Sequence, residues 1–341
     1  MFTMEASFNR YSADTHVNYP SLTRSGSRVL VTSREYVFMD TERAMGVILG
    51  LACGDALGRP VEFRSADQIS AEYDELTEMV GHGTWNQPAG TITDDTEQAL
   101  CIARSLAEEG RFDPDDIADR FVQWYESGPF DIGNMTRQTL LRIAQGDDWE
   151  TAAQAVWEAS PEGSNAGNGS VMRCPPLAIA YAEDRPRLAK VSRQSSQITH
   201  SDPRCTDGCV IVTDTIARIA AGEERPLASV IADRREELSR ELVAALEPLA
   251  AGETPTLSTS GYVVDTVQTA LHDAMRASSL EDAIVTAINR GGDTDTIGAV
   301  AGAVAGARFD AEGVPDRWVT EIDEAAELRK LASTLAAESF V

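Results

Sequence analysis

Apolar positions recur three and four residues apart along most of this chain, the spacing that gathers them on one face of an α-helix. The pattern predicts helices over residues 94–109, 114–127, 133–145, 150–159, 186–198, 206–221, 226–250, 262–276 and 279–289. Gly, Pro, Asn and Asp fill the intervals, where helices should stop. Runs that alternate apolar with polar residues, the mark of half-buried strands, are scarce. The chain therefore reads as all-α, a single large domain over 39–341 with short connections. Residues 1–38 depart from this pattern. They are polar and rich in Ser, Thr and Arg, with Arg28–Thr32 a strand-like fragment, and read as a poorly ordered N-terminal tail.

Two segments are apolar on every side and are marked by glycine instead. In 44–58, Gly46, Gly50, Gly54 and Gly58 recur every four residues; in 296–307, Gly298, Gly302 and Gly306 do the same. Each set lines one face of a helix. A glycine inside a helix costs about 0.5–1 kcal/mol relative to alanine, so the stripes need a compensating gain. Close approach of two backbones, with its added dispersion contacts, supplies one. The two segments are predicted to be central helices packed against each other. Segment 44–58 is also the best candidate for a membrane span, but it is shorter than the roughly 20 residues required and carries Asp55.

The chain has 341 residues, 43% of them hydrophobic, enough to bury a sizeable core. Its 55 acidic residues outnumber 29 basic ones, for a net charge of −26. That sign argues against general binding to nucleic acid or to anionic lipid. It fits a strongly hydrated surface suited to concentrated salt, where screening removes self-repulsion, so a halophilic source is expected, with an ordinary acidic cytosolic protein as the alternative. The cysteines Cys53, Cys101, Cys174, Cys205 and Cys209 are odd in number, fit no zinc spacing and follow no apolar leader. They read as free, buried thiols in a reducing, cytoplasmic compartment. Cys205 and Cys209, four apart, share a helix face, for which packing is favoured over a metal site.

Chemistry concentrates in two short segments, Gly90–Glu97 (GTITDDTE) and Asn289–Thr296 (NRGGDTDT). Each opens a helix, and an N-cap accounts for one aspartate in each. It does not account for Asp94 beside Asp95, or for Asp293 two residues from Asp295 with carboxylates on one side. Convergent carboxylates repel one another in a partly buried site, and a hard divalent cation relieves this. Oxygen-only ligands suit magnesium, manganese or calcium rather than zinc. Four aspartates balance two such ions. A third segment, Ala166–Arg173 (AGNGSVMR), offers backbone N–H groups that can cradle a phosphate without basic side chains, although such loops are more often simple turns. For Arg173 a structural salt bridge is favoured over a phosphate partner, and His82 and Trp85, just before the first acidic segment, are unassigned.

These segments, with Gly46–Gly58, Val61–Phe63, Asp131–Asn134, Thr199–His200 and Ser260–Asp265, resemble in order the motifs of the ADP-ribosylglycohydrolases, from about Arg43 to Phe309. The resemblance implies an orthogonal helical bundle with a dinuclear metal cleft holding two magnesium or manganese ions. It implies Thr93, Asp94, Asp95, Asp293, Asp295 and Thr296 as metal ligands, with Asp295 bridging the ions. Glu62 matches the glutamate beside the scissile bond, so Glu62, Asp95 and Asp295 carry the catalytic assignment. Asn168, Gly169, Ser170 and Met172 match the loop that wraps the diphosphate and distal ribose. Asp131 and Gly133 fall near the same ligand, His200 near the diphosphate or ribose, and Tyr262 at the adenosine half.

The implied reaction is hydrolysis of the N- or O-glycosidic bond that joins ADP-ribose to a modified protein or small molecule, releasing ADP-ribose. Nucleic acid enters only as an ADP-ribosylated substrate, no membrane is involved, and a monomer is expected. Two other classes stand beside it: a non-catalytic ADP-ribose-binding module and a two-metal phosphohydrolase. The mass of the released product separates them.

Overall fold

A computed structural model describes residues 39–161, 163–338 and 340. The tail assigned to 1–38, with its strand at 28–32, lies outside the described residues. Among those described, the chain forms sixteen α-helices and no strands. They are α1 (Thr41–Gly58), α2 (Ala66–Tyr73), α3 (Asp94–Glu109), α4 (Pro114–Glu126), α5 (Asn134–Ala144), α6 (Trp149–Ala159), α7 (Pro175–Ala180) and α8 (Arg185–Gln197). There follow α9 (Pro203–Ala220), α10 (Pro226–Arg234), α11 (Arg240–Ala250), α12 (Val263–Arg276), α13 (Leu280–Ile288), α14 (Thr294–Phe309), α15 (Asp316–Val319) and α16 (Ala325–Ala337). The all-α expectation holds, and the helices gather into one compact unit.

The glycine stripes do what their spacing requires. Helices α1 and α14 run antiparallel, with Gly46 against Gly306, Gly50 against Gly302 and Gly54 against Gly298. A Cβ on Gly54 would sit 2.0 Å from the Gly298 carbonyl oxygen, and one on Gly302 would sit 2.0 Å from that of Gly50. No side chain fits there, so the backbones themselves form the interface. Around this pair pack α12, α13, α9, α3 and α16.

By length and composition, Thr41–Val61 is apolar enough to cross a membrane, which the shorter 44–58 reading did not anticipate. Its apolar window is nonetheless 94% buried inside the protein, as befits the central core helix.

One predicted helix is divided. Residues 226–250 form α10 and α11, separated at 235–239. Ser239 caps α11 by accepting from the Leu242 N–H, and its own N–H donates to Asp207 Oδ2 at 2.8 Å, a tertiary anchor invisible to periodicity.

Candidate active site

The antiparallel glycine pair decides where the acids lie. The C-terminal end of α1 meets the start of α14: the Thr294 hydroxyl donates to the Gly58 carbonyl at 2.8 Å. Glu62 follows α1 directly, and Asp293 and Asp295 open α14, so the pair delivers three carboxylates to one place. Suitable oxygens of Glu62, Asp293 and Asp295 all lie within 4.8 Å of one another.

The third segment is set by a residue the sequence reading treated only as a charge. Asp55, fully buried in the last turns of α1, accepts from the N–H groups of Thr93 (3.0 Å) and Thr96 (3.1 Å) and from the Thr96 hydroxyl (2.5 Å). Helix starts leave N–H groups without intrahelical partners. Asp55 satisfies two of them on α3, while Thr93 caps the same helix by accepting from the Asp95 N–H. This presses the start of α3 against α1 and aims Asp95 at α14. The Thr296 hydroxyl reaches Asp95 Oδ2 at 3.4 Å, so the two segments, some two hundred residues apart in the chain, meet. Thr93 also donates to Asp95 Oδ2, at 3.2 Å.

The assembled carboxyls strongly resist ionisation in concert. Burial is the first cause throughout. It pushes Asp55 up to about 6, against the lowering effect of the hydrogen bonds from Thr96 and Thr93. Burial and then the charge of Asp131 push Glu62 up to about 8, and burial and then Asp55 push Asp131 up to about 7. Asp94, Asp95 and Asp295 are raised well above the ordinary range by burial and by their acidic neighbours. Asp95 Oδ1 is buried and has no hydrogen-bond partner. An orphaned buried carboxylate oxygen facing an all-oxygen donor set fits a hard divalent cation, as the chemistry of the segments predicts.

Glu62 is held from three sides. The Trp85 indole N–H donates to Glu62 Oε2 at 2.5 Å, and the Thr84 hydroxyl donates to the Glu62 carbonyl. The following residues are tied to the Gly291–Gly292 turn: the Phe63 N–H donates to Gly292 O, and the Gly292 N–H to Arg64 O, both at 2.7 Å. Gly292 has φ +83°, and a Cβ there would strike the Thr259 carbonyl at 2.2 Å, so glycine is required. The loop carrying Trp85 wraps buried Arg59, whose guanidinium donates to the carbonyls of Val80, His82, Pro88 and Thr91. Trp85 and Arg59 thus belong to the site, although isolated Trp and Arg residues carry no periodic or motif signal that would reveal it.

The Ala166–Arg173 loop lies against the same centre. The Asn168 amide donates to Asp293 Oδ2 at 2.8 Å, which joins loop and acidic segment. Gly167 pairs with Tyr262, and the Asn168 N–H donates to Gly261 O, so the Ser260–Asp265 segment backs the loop. His200 is buried beneath it; a Cβ on Gly169 would sit 2.9 Å from His200 Cε1. Met172 and Ser170 are turned inward: Met172 is buried, and Ser170 Oγ accepts from Ser196 Oγ at 2.9 Å. The Tyr262 hydroxyl donates to Glu241 at 2.6 Å and accepts from Arg204, whose guanidinium lies over the ring. Gly133 precedes α5, and its backbone N–H steadies the Asp94 carboxylate. Cys205 and Cys209 use their shared helix face to donate to Gly167 O and Ser170 Oγ. The salt bridge expected of Arg173 is absent among the described residues; its partners are the neutral Gln98, Ser195 and Thr199.

Fold and site together define an all-α hydrolase with an acidic centre suited to divalent cations. The chain belongs to the ADP-ribosylglycohydrolase family, whose model matches residues 39–340. It is 33% identical over 286 residues to the ADP-ribosyl-[dinitrogen reductase] glycohydrolase of Rhodospirillum rubrum, covering 84% of this chain and 92% of that protein. It is likewise 33% identical to the ADP-ribosylarginine hydrolase Tri1 of Pseudomonas putida (strain GB-1), over 86% of this chain and 78% of that protein. The ADP-ribosylhydrolase ARH3 of Gallus gallus is 26% identical, over 86% and 92% of the two chains. A solved structure titled ADP-ribosylglycohydrolase-related protein complex superposes with a TM-score of 0.74 at 33% identity, covering 87% of this chain and 98% of the other. The protein is thus a hydrolase that removes ADP-ribose from modified targets, within a metal-dependent family.

Proposed function

We propose that the protein cleaves the N-glycosidic bond between ADP-ribose and an arginine side chain of a modified protein, with two divalent cations, magnesium or manganese, at the acidic centre. The observation that carries the centre is the approach of Thr296 to Asp95, beside the cluster of Glu62, Asp293 and Asp295. The arginine linkage is supported by the two relatives at 33% identity, of which one is named for ADP-ribosylarginine, and by charge: a guanidinium leaving group is drawn to an acidic cleft.

Thr93, Asp94, Asp95, Asp293, Asp295 and Thr296 would hold the ions. Bound there, the cations would supply the positive charge against which the ribose diol and an attacking water are polarised. The protein's own part is positioning and proton handling. The Gly167–Ser170 backbone cradles the diphosphate, with His200 beneath it and Asp131 and Gly133 alongside. Tyr262 borders the adenosine half. Glu62, gripped by Trp85, sits where the bond breaks and relays a proton between water and leaving group. Holding water, anomeric carbon and Glu62 in line contributes several kcal/mol of the barrier reduction. A reducing, cytoplasmic setting is supported by five free, buried cysteines. A salt-rich one is supported by the net charge of −26, and a monomer working without membrane contact completes the reading.

The test is the mass of the product released from an arginine-ADP-ribosylated peptide in the presence of magnesium. Intact ADP-ribose and unmodified arginine are expected. AMP or phosphate would make the protein a phosphohydrolase, and tight binding without release would make it a binding module.

A further inference from the structure

Arg173 is fully buried and faces only neutral partners among the described residues. Its Nη1 donates to Gln98 Oε1 at 2.5 Å, and its Nη2 donates to Thr199 Oγ1 at 2.8 Å and to the Ser195 carbonyl at 3.3 Å. The Phe121 ring lies against its guanidinium at 4.3 Å. An arginine side chain has donors only, so it dictates the polarity of each neighbour it touches.

At Thr199 this has a definite consequence. The hydroxyl oxygen accepts from Arg173, and its own proton has one acceptor within reach among the described residues, His200 Nδ1 at 2.7 Å. With Nδ1 accepting, the imidazole proton must sit on Nε2. The opposite tautomer would aim two donors at one hydroxyl oxygen and leave the Thr199 proton buried without an acceptor. A charged imidazolium is disfavoured as well: burial and then Arg173 push His200 down to about 3. The Nε2 edge of the ring faces the glycine loop. A Cβ on Gly169 would stand 3.2 Å from Nε2, and one on Gly167 3.7 Å, and nothing among the described residues accepts from that nitrogen.

We propose that Arg173, acting through Thr199, fixes His200 as the neutral tautomer whose Nε2–H donates to an anionic or hydroxyl oxygen of the ligand on the Gly167–Ser170 loop. The identity of that ligand rests on the ADP-ribose reading above. His200 touches the ligand; Arg173 and Thr199 are positioning residues. The same arginine turns the Gln98 carbonyl toward itself, so the Gln98 NH2 group donates to Asp94 Oδ2 at 3.3 Å. One buried cation thus orders a carboxylate on the acidic side of the site and an imidazole on the phosphate side. A neutral donor keeps its role across the physiological pH range.

Ring-nitrogen correlation spectra of the full chain, labelled at its four histidines and free of metal, read the tautomer directly. His200 should carry its proton on Nε2 from about pH 5 to about pH 8. Thr199→Ser should preserve that state. Thr199→Val should lose it and should weaken ADP-ribose binding in magnesium about tenfold, the worth of one hydrogen bond to a charged ligand. An Nδ1-protonated His200 in the unaltered protein, or an Nε2-protonated one in Thr199→Val, overturns the relay. A changed tautomer with unchanged ADP-ribose affinity overturns the donation to ligand. If the unaltered protein binds no ADP-ribose, the ligand assignment fails on its own account, and the ring spectra still decide the relay.

Discussion

The two ends of the α1–α14 pair obey opposite rules. Along its length the seam of the pair is glycine backbone against glycine backbone. At the end where α1 runs into Glu62 and α14 starts at Asp293, buried carboxylates crowd together and each raises the others' reluctance to ionise. The first region makes the second tenable. A zipper whose backbones cannot separate holds like charges at a distance they would not choose, and such stored conflict is what a cation-binding centre needs.

The zipper should tolerate substitution least. Gly54→Val should leave little folded protein, and even Gly54→Ala should destabilise by more than about 3 kcal/mol, because its Cβ would lie 2.0 Å from a backbone oxygen. Thermal unfolding measures it; a Gly54→Ala protein as stable as the original would show that the helices are free to part. At the acidic end the sign should reverse. Asp95→Asn and Asp295→Asn should cut kcat by about a thousandfold or more, yet each should leave the metal-free protein as stable as before, or more so, since a repelling charge is gone. Full turnover in both variants would refute the catalytic assignment.

A smaller effect sharpens the contrast. The folded-state pKa values of Asp55, Asp131 and Glu62 are raised to about 6, 7 and 8. Carboxyls with raised values favour folding in their protonated form. Their contribution is full below the unfolded values near 4 and is lost as pH climbs through the folded ones. The chelated protein should therefore lose thermal stability from about pH 5 to about pH 8. Magnesium should restore it, by a margin that widens over the same window. A margin that stays constant with pH would mean that these groups do not face the ions.

Much of this was legible in the chain itself. The period of the apolar positions marked α4 and α5 to within a residue, because each has one buried face and one wet face. The glycine stripes named their own partner helix, since seven helix-weakening residues demand a close neighbour. The aspartate–threonine segments disclosed the centre because a cap can take up at most one acid in each; in the structure Thr93 caps α3, and Asp293 makes no capping bond. What stayed hidden depended on tertiary contact. Helix α7 (PPLAIA) is buried nearly all round and shows no period, and α2 buries only Ile69. Nothing local marks Asp55 as the cap of a helix forty residues on, or Trp85 as the clasp on Glu62. Helix α16 carries a helical period too, with Leu328, Leu331 and Leu335 buried on one side.

On the proposed reading, Asp95 and Asp295 serve one shared centre. Calorimetric titration of the metal-free protein with manganese tests it most directly. Two ions should bind to the unaltered chain, and either Asp95→Asn or Asp295→Asn should abolish or severely weaken binding of both. Two variants that each titrate like the unaltered protein would contradict it.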